Sequence, residues 1–127
     1  MIRAVVGIIK RGEKVLVAKR PENKPYSGYW EFPGGKIEEN ELGKDALIRE
    51  LHEELGVDVA SAKHLFDHVH AYPDKTVILE LWLVMDFSGE PHSKENQEIR
   101  WVTLSEMLSL NLLEGNWAIM EKIKVLF

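Results

Sequence analysis

Residues 35–57 read GKIEENELGKDALIRELHEELGV, and two arcs of a single helix can be traced through them. From Leu42 to Leu55 the apolar residues Leu47, Ile48, Leu51 and Leu55 gather on one face when wound at about 100° per residue, the pattern of an amphipathic helix. Gly56 follows where a helix C-terminal glycine is expected. Arg49, Glu50, Glu53 and Glu54 fall on a second arc, well away from the apolar one. One face therefore goes to the core and the other presents three carboxylates. Like charges at these spacings repel by a few tenths of a kcal/mol per pair. If they are crowded in a cleft, a cation must offset them, and carboxylate oxygens suit Mg²⁺ or Mn²⁺. Arg49 can lock one carboxylate through a bidentate pair. Taken alone, such a face is also what a solvated Glu-rich helix looks like.

Upstream, Pro33-Gly34-Gly35 is read as a turn that folds backbone carbonyls toward this helix, although its glycines also suit a plain turn. Tyr29–Phe32 is a short aromatic strand, and residues 21–28, with two prolines and a glycine, form a loop. Val5–Ile9 and Lys14–Lys19 are β-rich runs joined through Arg11-Gly12-Glu13, a hairpin signal. Downstream, Lys63–Ala71 and Thr76–Asp86 are strands around Tyr72-Pro73-Asp74. In the second, Val77, Leu79, Leu81, Leu83 and Met85 line one face, with Ile78, Trp82 and Val84 on the other. A strand apolar on both sides belongs inside a sheet covered on both faces. A polar loop over 89–97 leads to a strand at Ile99–Val102, and Thr103 with Glu106 offers a capping box. Asn116–Phe127 reads as a terminal helix with Ile119, Ile123 and Leu126 turned inward. The expected class is α/β, a mixed β-sheet between helices, in one domain over 1–127.

The composition narrows function by exclusion. The chain of 127 residues carries 16 Lys+Arg against 21 Asp+Glu, a net charge of −5, and no Cys. The acidic balance argues against polymeric nucleic acid, whose binding draws on Lys and Arg at phosphates. The absence of Cys excludes a disulfide scaffold, a Cys-based zinc site and a cysteine nucleophile. No apolar run reaches the roughly 18–20 residues of a membrane span, and the N-terminal run breaks at Gly7 and Lys10, too soon for a signal peptide. A cytoplasmic monomer is expected. His52, His64, His68 and His70 lie close in sequence without a zinc-ligand spacing. His68 and His70 share a strand face and are assigned to the core edge or to substrate lining.

The pattern Gly35, Glu41, Arg49-Glu50-Leu51, Glu53-Glu54, Gly56-Val57 resembles the Nudix box and matches it at every fixed position. With each residue type at about 5–7% usage, chance agreement is on the order of one in a billion per starting point. The resemblance extends to the MutT subgroup through Val6-Gly7-Ile8-Ile9, the run from Glu31 to Glu38, the turn at 72–74, Leu83-Val84, Gly89-Glu90-Pro91, Lys94-Glu95 and Asn116. It implies a Nudix α/β/α sandwich and Mg²⁺-dependent hydrolysis of nucleoside triphosphates, foremost 8-oxo-dGTP to 8-oxo-dGMP and pyrophosphate. Other (d)NTPs, dinucleoside polyphosphates and a non-catalytic nucleotide-binding module are the alternatives.

By the same resemblance, Glu50, Glu53 and Glu54 ligate the metal with the Gly34 carbonyl, and Glu53 or Glu50 activates water. Glu95 is a further carboxylate for the metals, with Glu90 and Glu98 as rivals. Arg20, or Lys19, meets the phosphates. Ile8 and Phe32 wall the base, while Tyr72, Asp74 and Lys75 lie beside it. Asn116 matches the residue that reads the base, and an N-cap role is its alternative. An Asn offers both the acceptor that the N7–H of 8-oxoguanine needs and the donor that its O6 needs. Lys75 stands where an Arg is expected, and Trp117 where a small residue or Pro is more usual, altering the pocket rim.

Overall fold

Neighbouring apolar residues on a strand point to opposite faces, so the runs Val5-Val6 and Val15-Leu16-Val17 require cover on both sides. The computed structural model, which describes residues 1–127, supplies it. Its strands are β1 (Ile2–Ile8), β2 (Lys10–Arg11), β3 (Lys14–Lys19), β4 (Trp30–Glu31), β5 (Gly34–Lys36), β6 (Asp58–Tyr72), β7 (Lys75–Ser88) and β8 (Ile99–Val102). The helices are α1 (Gly43–Leu55), α2 (Leu104–Met107) and α3 (Glu114–Ile123), the last running into a 3₁₀ turn at Lys124–Leu126. One sheet has the order β5-β1-β7-β6 and is mixed, since β1 runs parallel to β7 while β5 and β6 are antiparallel to their neighbours. A second sheet places β3 between β8 on one edge and β2 and β4 on the other.

Two apolar clusters cover the two faces. Val5, Ile9, Leu16 and Val84 pack with Leu47, Leu51 and Leu55 of α1. Val6, Ile8, Val15, Val17 and Leu81 pack with Met107 of α2 and Ile119, Met120 and Ile123 of α3. The α/β class and the mixed sheet are as the sequence indicates.

The helix within residues 35–57 begins one residue later than expected and ends on Gly56, whose φ of 68° is the left-handed conformation that glycine adopts without steric cost. The capping box at Thr103 and Glu106 is formed in both directions. No helix is long and apolar enough to cross a membrane.

Four expectations are corrected. Gly34–Lys36 is a strand, not merely a turn, pairing with Ala4–Val6 of β1. Strand β6 starts at Asp58 rather than Lys63, because register shifts between Val59 and Ser61, Ser61 and Ala62, and His64 and Phe66 break the alternation by which a strand is recognised. Met85 is exposed. The last helix starts at Glu114, so Asn116 lies in its first turn, and the N-cap is Leu113.

Candidate active site

The parallel pairing of β1 with β7 sets Ile2 beside Val77 and Ala4 beside Leu79. These four residues floor a cavity of about 530 Å³, within the usual range for small-molecule sites. Helix α1 contributes Glu50, Glu53 and Glu54 to its wall, β5 contributes Gly34 and Gly35, and the loop after β7 contributes Glu95 and Gln97. Arg20, Glu31, Phe32, Tyr72, Lys75 and Asn116 also line it.

The glycines of β5 allow this closeness. A Cβ on Gly34 would overlap the Val5 backbone, and one on Gly35 would overlap the Glu50 carboxylate. The Gly34 N–H donates to Glu54 Oε2 at 3.2 Å. Glu54 is nonetheless held protonated up to about 8, first by burial and then by the charge of Glu50 nearby. Burial raises Glu50 as well, against the Arg49 guanidinium that favours its ionised form.

Arg49 uses its bidentate fork on Glu41, with Nε to Oε2 at 2.8 Å and Nη2 to Oε1 at 2.9 Å. Those bonds hold the Glu41 carboxyl down at about 2. Nη1 donates to Glu50 Oε1 at 2.9 Å and stands 3.5 Å from Glu53 Oε2. Arg49 is not on the cavity wall, so it acts on substrate only through the acids that it positions.

All the candidate ligands are oxygens, which suits a hard divalent cation. A carboxylate buried among other carboxylates, as Glu54 is, lacks the counter-charge that such an ion would supply. In the structure no three of these side chains close on one point as a ready ligand set. Glu50 is drawn to Arg49 and Glu54 to the Gly34 amide, so ligation requires rotation of side chains already on the wall. The donor chemistry fits the ion.

A carboxyl whose pKa is raised on folding binds its proton more tightly in the native state. It therefore destabilises the fold as pH rises from about the ordinary 4.5 to about 8. The melting temperature of metal-free protein is expected to fall across that interval, and excess Mg²⁺ should restore it at pH 8. Glu54→Gln should flatten the slope, and an unchanged slope in that variant would remove Glu54 as its source.

The structure distributes the other candidates unevenly. Glu95 reaches the cavity, whereas its rivals face solvent, Glu90 paired with Arg11 and Glu98 with Arg100. Arg20 is on the wall and Lys19 is not. The Arg20 Nε donates to the Pro25 carbonyl at 2.8 Å and Nη1 to Glu31 at 2.9 Å, leaving Nη2 without a partner in the chain.

Phe32, Tyr72, Lys75 and Asn116 line the cavity, but Ile8 and Asp74 do not. Ile8 is fully buried in the cluster that packs against α3. It lies four residues, roughly 13 Å of strand, beyond Ala4. Asp74 is exposed at the tip of the turn whose flanks are Tyr72 and Lys75. His68 and His70 sit beside α3, off the cavity wall, with both Nε2 atoms buried and without a hydrogen bond, His70 Nε2 standing 3.8 Å from Glu114 Oε1. Glu31, to which the sequence pattern assigns no role, also lines the cavity. It is a wall carboxyl raised by burial despite Arg20, and its one signal in the sequence is an acid between the core aromatics Trp30 and Phe32.

Asn116 is nearly buried, and its Oδ1 accepts the Phe32 N–H at 3.0 Å. Because Phe32 N–H can only donate, the amide oxygen must face it, which fixes Nδ2 as the outward donor. Nδ2 has no partner in the chain.

The family model for the NUDIX domain matches residues 1–123. The chain belongs to the Nudix family. This Nudix domain is 35% identical over 126 residues to the CTP pyrophosphohydrolase of Escherichia coli (strain K12), an alignment covering 99% of the chain and 93% of that protein. It is 33% identical over 127 residues to the 8-oxo-dGTP diphosphatase of the same organism, covering 97% and 96% respectively. A crystal structure of the MutT NUDIX hydrolase from Burkholderia pseudomallei superposes with a TM-score of 0.88 at 28% identity, covering 97% of the chain and 98% of that structure. The protein is thus a Nudix hydrolase acting on nucleotide pyrophosphate bonds, within a family that generally uses divalent metal ions.

Proposed function

We propose that the protein hydrolyses a nucleoside triphosphate to the monophosphate and pyrophosphate, with 8-oxo-dGTP as the best-supported substrate. The observation that carries this reading is one cavity whose wall holds both the helix carboxylates and Asn116 with its unpaired amide donor. In this reading Glu50, Glu53, Glu54 and Glu95, with the Gly34 carbonyl, hold Mg²⁺, for which Mn²⁺ can substitute. When bound, the cation supplies Lewis-acid polarisation of phosphate oxygens and offsets their charge.

Glu53 takes the proton from the attacking water during in-line displacement at phosphorus. It is the helix acid with the loosest internal contact, 3.5 Å from Arg49, and its side chain is 54% exposed. Glu50 and Glu54 are each held by a shorter hydrogen bond. Arg20, braced by Glu31 and the Pro25 carbonyl, presents its remaining Nη2 to the phosphates. Asn116 Nδ2 donates to the base oxygen. Its Oδ1 is already engaged by Phe32, so a backbone carbonyl near Tyr72–Lys75 supplies the acceptor for N7–H. Phe32, Val6 and Leu79 form the apolar wall in place of Ile8.

A second reading, cleavage of CTP, is favoured by the CTP pyrophosphohydrolase, which aligns over nearly the whole chain. The cytosine O2 accepts a hydrogen bond from Asn116 Nδ2 as the guanine O6 does. The two readings separate in kcat/KM with Mg²⁺ on 8-oxo-dGTP, dGTP and CTP. The first reading expects 8-oxo-dGTP to exceed dGTP by tenfold or more, on the order of one buried hydrogen bond. CTP turning over faster than both would replace it with the second.

A further inference from the structure

Beside the cavity lies a second hollow of about 280 Å³, lined by Tyr26, Tyr29, Leu112, Leu113, Glu114 and Trp117. Tyr26 and Leu113 line both it and the main cavity, so the two are neighbours. Asn116 is close to that shared wall: it precedes Trp117 on α3, and its backbone N–H donates to the Leu113 carbonyl at 2.8 Å. Three aromatic rings on the hollow are partly exposed, Tyr26 at 44%, Tyr29 at 43% and Trp117 at 37%.

The aromatic wall is built rather than loose. Tyr26 sits at a φ of 60°, an unusual backbone for a bulky residue. The Tyr29 N–H donates to the Tyr26 carbonyl at 3.1 Å, and Arg20 Nε donates to the neighbouring Pro25 carbonyl at 2.8 Å. The Tyr26 ring stands 6.3 Å from both Tyr29 and Tyr72, the spacing of aromatic pairs that pack edge to face or tilted. Glu114 is the hollow's one charged residue, which disfavours an anionic occupant.

We infer that this hollow is a subsite for an uncharged apolar or aromatic substituent carried on the base of the nucleotide. The enzyme thereby accepts triphosphates whose base bears a bulky adduct at the oxygen facing Asn116. The inference rests on the reading of the main cavity as a nucleotide site. A substituent on that oxygen leaves the ether an acceptor for Nδ2 and extends past Leu113 toward the Trp117 ring. A second nucleobase joined through phosphates would instead emerge at the carboxylate side.

The test compares kcat/KM for dGTP and O6-benzyl-dGTP, with Mg²⁺, in the wild type and in Tyr29→Ala, Trp117→Ala and Trp117→Phe. Neither Tyr29 nor Trp117 lines the main cavity, so dGTP turnover should be unchanged in all three variants. Wild-type protein should use the benzylated nucleotide at least as well as dGTP. Each alanine variant should lower the benzyl-to-parent ratio by about three- to tenfold, the scale of one aromatic packing contact, and Trp117→Phe should keep it. A ratio unmoved by the alanine variants overturns the subsite, and so does a Trp117→Ala variant that changes only the oligomeric state, since the hollow would then belong to a second copy of the chain. Hydrolysis of neither nucleotide by the wild type would overturn the nucleotide reading itself, and the subsite with it.

Discussion

Replacing Glu53 by glutamine is expected to lower kcat by about 10²–10⁴, the range of a lost general base, while leaving the fold intact. The side chain is half-exposed and its one close partner is Arg49 at 3.5 Å, so little packing depends on its charge. Glutamine keeps the shape and removes the ability to take a proton. The measurement is steady-state turnover at saturating nucleotide across a Mg²⁺ titration, because Glu53 also stands among the metal-binding acids. A loss that persists at saturating Mg²⁺ assigns the effect to proton transfer. A loss that extra Mg²⁺ restores assigns it to ligation and returns the base role to Glu50. Near-wild-type turnover at ordinary Mg²⁺ would remove Glu53 from both roles.

The second large effect is expected at Asn116. Its Oδ1 caps the buried Phe32 N–H across the fold, so Asn116→Ala leaves that donor unsatisfied, at a cost of about 1–3 kcal/mol in stability. The same change removes the outward Nδ2 donor. Sites built around such a hydrogen bond discriminate strongly against ligands that leave it unpaired, and kcat/KM on the preferred nucleotide should fall on the order of 10²-fold. The ratio between 8-oxo-dGTP and 8-oxo-dATP separates the two roles, because the guanine O6 accepts from Nδ2 whereas the adenine 6-amino group donates. If Asn116 reads the base, the ratio collapses toward one in the variant. If it only latches Phe32, every nucleotide loses activity by the same factor, and the melting temperature accounts for it.

The helix and its acidic face were legible because periodicity, a terminal glycine and carboxylate spacing are all local properties of residues 42–56. The matching of β1 against β7 was less accessible, since parallel pairing over long sequence separation leaves no local mark. That pairing decides the floor of the cavity. Ile8, expected by resemblance as a wall for the base, is buried in the core and off the cavity wall, because a motif match does not fix how far along β1 the cavity extends. Gly34–Lys36 escaped recognition as a strand because two glycines carry no side-chain pattern. The bulged start of β6 escaped for the related reason that its alternation is broken.

The split role of Asn116 was half-visible. The residue type offers both a donor and an acceptor, but only the fold shows that the acceptor belongs to Phe32. Arg49 shows the same limit. Its place on the acidic arc is plain in the sequence, whereas its bidentate hold on Glu41, which turns it into a brace behind the acids, depends on where the loop before α1 returns.

The acidity of the chain, at −5, sets a problem for binding a polyanion, and the carboxylates around Glu54 concentrate it at one place. The account requires a divalent cation to reverse the sign of that wall before a triphosphate can enter. The most direct test is to incubate the metal-free protein with 8-oxo-dGTP, dGTP and CTP, with and without Mg²⁺, and resolve the products. The account predicts monophosphate and pyrophosphate in equal amounts, formed only with the cation. Release of orthophosphate in place of pyrophosphate, or equal turnover with a chelator present, would contradict it.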